Sequence, residues 1–121
     1  MAGSAPASRL RFQAAVERPL SVVFQRTDGR WEGHDYRVEV LTERLGLDAF
    51  DVVMDFRDLE KALDSLLEPL EGRLLSDLGL AGPLELAGRL LAELAPRVPP
   101  PAQLLSVTLT DGSGRRWTLR S

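Results

Sequence analysis

Apolar residues recur along this chain at two spacings, and the change from one to the other marks out its elements. Leu10, Phe12, Ala14 and Val16 are interleaved with Arg9, Arg11, Gln13 and Glu17. A period of two is that of a strand with one buried face. Pro19 lacks the N–H that a ladder uses, so it is expected to interrupt this strand and leave Leu20–Phe24 as a short strand or a buried loop. Thr27-Asp28-Gly29-Arg30 is turn chemistry. His34, Tyr36, Val38 and Val40 then alternate with Asp35, Arg37, Glu39 and Leu41, which predicts a second strand running back and a hairpin. Leu45 to Phe50 reads as loop, and Val52-Val53-Met54 as a short apolar strand.

The spacing next becomes helical. Asp55 suits an N-cap, with Asp58 in the place of a capping-box acid. Phe56, Leu59, Leu63, Leu66, Leu67 and Leu70 fall on one face, and Pro69 is expected to end the helix. Gly79 and Gly82 bracket a boundary, and Pro83 suits a first helical turn. Leu84, Ala87, Leu90, Leu91 and Leu94 predict a second apolar stripe, stopped by Pro96. Val98-Pro99-Pro100-Pro101 reads as a stiff extended connector. Period two returns over Leu104–Thr110, Asp111-Gly112-Ser113-Gly114 is a turn, and Arg115–Arg120 closes a hairpin with Trp117 and Leu119 on one face. The order is ββααββ. Its economical packing is an α+β fold, an antiparallel four-stranded sheet with two helices on one face. Open sheet edges invite pairing with another subunit, so oligomerisation is expected.

Composition narrows the picture. The 121 residues fit one domain, taken as 9–121. Met1–Ser8, rich in Ala, Ser, Gly and Pro, reads as a disordered tail without the apolar segment of a secretory signal. No run of about 18 apolar residues exists, so no membrane span is expected. A formal charge of −3 lacks the basic footprint of a nucleic-acid binder. The absence of cysteine excludes disulfides, Cys-based zinc sites and thiol nucleophiles. The expected location is cytoplasmic.

Five segments carry a family resemblance: Phe12-Gln13-Ala14-Ala15-Val16, Glu32-Gly33-His34-Asp35-Tyr36, Val53-Met54-Asp55-Phe56-Arg57-Asp58-Leu59, Leu70-Glu71-Gly72-Arg73-Leu74-Leu75, and Pro83-Leu84-Glu85-Leu86-Ala87. In order and spacing they are similar to FxAAH, HGHxY, VxDFxxLK, LDHxxLN and PTxENLA of the 6-pyruvoyl/6-carboxytetrahydropterin synthase family, from about Phe12 to Trp117. The resemblance implies the tunnelling (T-) fold. It also implies assembly through sheet edges into trimers stacked as hexamers.

The family holds Zn2+ on three histidines, and the matching positions here are Val16, Glu32 and His34. Valine donates no lone pair, and a carboxylate with one imidazole falls short of three protein ligands. The family's cysteine position corresponds to Asp28, and its Asp-His proton relay to Glu71-Gly72. Both would act only weakly, because a solvated carboxylate titrates near 4 and is a poor base at pH 7. The family's pterin-anchoring Glu corresponds to Asp111, although the turn reading, as first residue of an Asp-Gly pair, is favoured over the anchor. His34 is either the one retained metal position or a packed strand residue, and Asp55 either motif residue or helix cap. Arg115-Arg116 beside Trp117 faces a base, solvent or a subunit interface.

The preferred reading is a non-catalytic or repurposed homologue, without cofactor, that keeps the oligomer and binds a pterin- or purine-like ring. A second is an active lyase on dihydroneopterin triphosphate, in tetrahydropterin or queuosine-precursor synthesis, with Zn2+ in an unorthodox site. A third is a structural or partner-binding module. Neither nucleic acid nor membrane is an expected partner.

Overall fold

The computed structural model describes residues 10–46 and 52–121. Two long strands, β1 (Arg11–Gln25) and β2 (Trp31–Leu45), pair antiparallel from Arg11↔Leu45 to Gln25↔Trp31. Two shorter ones, β3 (Gln103–Asp111) and β4 (Arg116–Arg120), extend the sheet in the order β1-β2-β3-β4. The pairing of β2 with β3 shifts register between Leu41 and Thr42. The expected α+β order and antiparallel sheet are what the chain forms.

Pro19 does not interrupt β1. The N–H groups of Ser21 and Val23 point away from β2, accepted by Glu71 Oε2 at 3.2 Å and by the Arg73 carbonyl at 2.9 Å. Pro19 shares their parity, so its missing N–H falls on the outer edge of an edge strand, where no ladder bond is lost. A segment at Glu71–Leu74 caps this end of the edge, adding Gly72 N–H to the Ser21 carbonyl at 2.7 Å and a parallel bridge from Leu74 to Val23.

Alternation decides which face is buried. Val16, Leu20, Val22 and Phe24 of β1 and Tyr36, Val38 and Val40 of β2 are buried, as are Val107 and Leu109 of β3. Two helices cover that face, α1 (Phe56–Leu67) against β1 and α2 (Pro83–Leu94) against β3 and β4. Asp55 caps α1, its side chain accepting the Arg57 N–H at 2.8 Å. Leu59, Leu63 and Leu67, four apart, bury the stripe, each contributing about 1.5–3 kcal/mol. Phe56, at the first helical position, is instead half exposed.

The α2 stripe also differs from the expected one. Leu86, Ala87, Leu90 and Leu94 are buried whereas Leu84 is 54% exposed. At 100° per residue Leu84 stands about 200° from Leu86, on the far side of the helix. Pro69 and Pro96 end the α-helices as expected, each within a short 3₁₀ turn that follows. A further 3₁₀ turn, Leu75–Leu78, had no sequence signal; it buries Leu75 and closes on left-handed Gly79. Val52-Val53-Met54 is not a strand but irregular chain leading into the Asp55 cap of α1. Pro100 and Pro101 form a turn rather than an extended connector. The tail expected over 1–8 lies outside the described residues, as does most of the loop expected over Leu45–Phe50; Leu45 itself is paired to Arg11 as the last residue of β2. Among the described residues no helix is long and apolar enough to cross a membrane.

Candidate functional site

Register determines which side chains meet at the turn end of the first hairpin. The Thr27–Arg30 turn sets Gln25 opposite Trp31, which puts Phe24 opposite Glu32, Val22 opposite His34 and Leu20 opposite Tyr36. The last three of these pairs lie on the helix-facing side. On the other flank Tyr36 pairs with Asp111, and Trp117 pairs with Leu109. The N-terminal end of α2 closes the opposite wall through Ala81, Gly82 and Pro83. The result is a cleft of about 420 Å³ lined by Phe24, Arg26, Glu32, His34, Tyr36, Asp111, Arg115 and Trp117.

Its walls are rings. The His34 imidazole lies nearly parallel to Tyr36, with centroids 5.7 Å apart and planes at 11°. Phe24 tilts over His34 at 5.9 Å, and Trp117 meets Tyr36 edge-on at 6.1 Å. These are the separations at which aromatic pairs attract.

Two carboxylates stand among the rings, and both are engaged. Glu32 Oε1 lies 3.0 Å from His34 Nε2, and Glu32 Oε2 accepts from Arg26 Nη1 at 3.3 Å. Asp111 Oδ1 accepts the N–H groups of Ser113 and Arg115, each at 2.9 Å, and Oδ2 accepts Arg115 Nε at 2.8 Å. Its side chain is only 7% exposed. Desolvation alone would raise the Asp111 carboxyl; the Arg115 N–H, the Arg115 guanidinium and the Ser113 N–H outweigh it and hold the group below 3.8. The Tyr36 phenol moves the other way. Burial raises it above 10.0, helped by the negative charges of Asp111 and Glu32 and opposed by Arg115. Tyr36 therefore stays a neutral hydroxyl between two anions.

The structure brings together two of the four candidate residues, His34 and Asp111. Asp28 sits in the hairpin turn, accepting the Arg30 N–H at 3.0 Å and facing Arg26 at 3.8 Å. Glu71 lies on the outer edge of β1, bound to the Ser21 N–H, away from the lining of the cleft. Val16 pairs with Val40, six residues along β2 from His34, or about 20 Å at strand rise. The FxAAH correspondence is thus displaced, and the residue opposite His34 is Val22. Phe24, Arg26 and Arg115 were not singled out as cleft residues by sequence reasoning. Counting register outward from the Thr27–Arg30 turn would have found the first two, and the spacing of four from Asp111 the third.

Zinc on three protein ligands does not fit this donor set. Among the described residues no three of His, Cys, Asp and Glu come together to hold a metal ion. Glu32 faces the aromatic Phe24 and His34 the aliphatic Val22 across the ladder.

The model of the 6-pyruvoyl tetrahydropterin synthase family matches residues 11–120, nearly the whole chain. The chain belongs to this family. Solved structures agree on the fold. 6-Pyruvoyl tetrahydropterin synthase from Caenorhabditis elegans superposes with a TM-score of 0.81 at 14% identity, covering 93% of this chain and 96% of that one. An uncharacterised protein from Wolinella succinogenes gives 0.74 at 17% identity, covering 93% and 99%. The Plasmodium vivax synthase gives 0.69 at 12% identity, covering 93% and 98%. No curated protein matches the chain in sequence. Membership in the 6-pyruvoyl tetrahydropterin synthase family accounts for the strand and helix order.

Proposed function

We propose that this member of the 6-pyruvoyl tetrahydropterin synthase family is non-catalytic or repurposed, and binds a flat pterin- or purine-like ring without zinc. The observation that carries the reading is the ring-walled cleft in which Glu32 and His34 are closed onto each other and onto Arg26. A planar ligand gains from stacking there, and the Tyr36 hydroxyl offers a donor beside it. Chemistry at the ligand's side chain would need a Lewis acid and a tuned base. Glu71, the counterpart of the family's relay acid, is committed to the β1 edge, and Asp28 to a turn.

Asp111 serves as anchor only in part. Three of its lone-pair directions are taken by its own turn and Arg115, which leaves about one for a ring N–H. The two readings of Asp111, turn residue and anchor, are therefore compatible but unequal, and the turn holds the larger share. The open edges of β1 and β4 support self-association into the trimers or hexamers of the family fold.

Fluorescence titration tests the ring pocket. The chain has two tryptophans, Trp117 in the cleft and Trp31 exposed on β2, so Trp31→Phe leaves one reporter. Neopterin or guanine is expected to quench it saturably, more weakly in Asp111→Ala. No saturable change in wild type removes the pocket and leaves the structural-module reading. Metal analysis of protein purified without chelators tests the active-lyase reading, which one zinc per chain would restore.

A further inference from the structure

Among the described residues the cleft has no converging set of metal ligands, yet it does not lack a cation. Both Glu32 oxygens have a nitrogen close by: His34 Nε2 is 3.0 Å from Oε1, and Arg26 Nη1 donates to Oε2 at 3.3 Å. Arg26 Nε also faces Asp28 Oδ2 at 3.8 Å. The residue opposite Glu32 in the ladder is Phe24, whose ring centroid is 5.9 Å from that of His34. Two imidazoles on one tetrahedral zinc, with Zn–N distances near 2 Å, would set their ring centroids about 5 Å apart, less than 1 Å closer than this pair. Phe24 thus occupies the place from which a third donor would reach, and the carboxylate that would be second already answers a guanidinium.

We propose that Arg26 is a built-in replacement for a metal ion in this cleft: its guanidinium neutralises Glu32 and blocks coordination there. A guanidinium is permanently charged and offers N–H donors in a plane, but no vacant coordination position. It balances the carboxylate and directs hydrogen bonds to an oxygen of an incoming ligand, such as a ring carbonyl. It cannot polarise that oxygen as a bound Lewis acid does. The ligand class that follows is an acceptor-bearing flat ring, held and released unchanged. This rests on the ring-binding reading above and adds to it a reason for the absence of metal chemistry.

The test is zinc binding by the full chain, measured by competition with a chromophoric chelator and by elemental analysis. Wild type is expected to hold no zinc above background. Arg26→Glu, at a half-exposed position with no core role, removes the cation and supplies a carboxylate beside Glu32 and His34, and is expected to take one zinc per chain. Phe24→His is expected to bind zinc weakly, and adding Arg26→Ala to it should tighten binding about tenfold or more, the scale of a partner that occupies a ligand. Circular dichroism shows which variants fold, and Arg26→Glu decides the matter if Phe24→His does not. A folded Arg26→Glu protein that stays zinc-free overturns the proposal, as does a folded Phe24→His protein whose affinity ignores Arg26. Stoichiometric zinc in wild type would instead overturn the zinc-free reading itself.

Discussion

Tyr36 shows how a single residue reports its surroundings. It is the only tyrosine in the chain, so absorbance near 295 nm follows its ionisation alone. Burial and the charges of Asp111 and Glu32 oppose the phenolate, so its midpoint is expected above 10.0, and Glu32→Gln should bring it down. Stability tied to this group is complete below pH 10 and is lost as pH rises through the folded value. Asp111 gives the opposite sign. Its carboxyl is held below 3.8, so its contribution is present above that value and is lost as pH falls through the lower, folded one. Asp111→Asn is therefore expected to melt at a lower temperature than wild type at pH 7. The gap should narrow in thermal scans taken below pH 3.8. A gap that stays constant with pH would assign the loss to the turn geometry and not to the charge.

Among the elements, the helices test how far local sequence reaches. Asp55→Ala removes the N–H acceptor at the start of α1 and should cost about 1 kcal/mol in denaturant unfolding. Gly88 sits inside α2, and a methyl group there would meet Leu119 Cδ2 at an ordinary 3.5 Å. Gly88→Ala is expected to stabilise by about 1 kcal/mol, the helix preference of alanine, measured the same way. Caps, prolines and periodicity were legible because they act within one element. Leu84 and Phe56 were misread because several helical faces share spacings of three and four, and only the sheet selects among them. Pro19 was misread for a related reason: whether a missing N–H matters depends on which strand is the edge. The site was legible at His34 and Asp111, which carry motif positions, but not at Phe24, Arg26 or Arg115, which arrive through cross-strand register and turn geometry. Val16 failed on that register too, since a motif match fixes order along the chain but not which residues face each other.

For the whole molecule, the sheet is open at both sides, and light scattering after size exclusion is expected to give a multiple of the 13.3 kDa chain mass. A monomer at micromolar concentration would separate this chain from the assembled arrangement of its fold. The outer face that such an assembly would enclose is charged, with Arg37 paired to Glu17 and the Ser21 hydroxyl donating to Asp35. The segment at Glu71–Leu74 then takes on a further meaning. With Pro19 beside it, it terminates the hydrogen-bonding rim of β1 at a fixed point, so only the stretch from Arg11 to Glu17 is left to receive a visiting strand. That stretch is barely longer than the five residues of β4. A copy docking by its β4 could slide very little before meeting a residue with no donor to give, and the joint between copies would be aligned by a stop at one end.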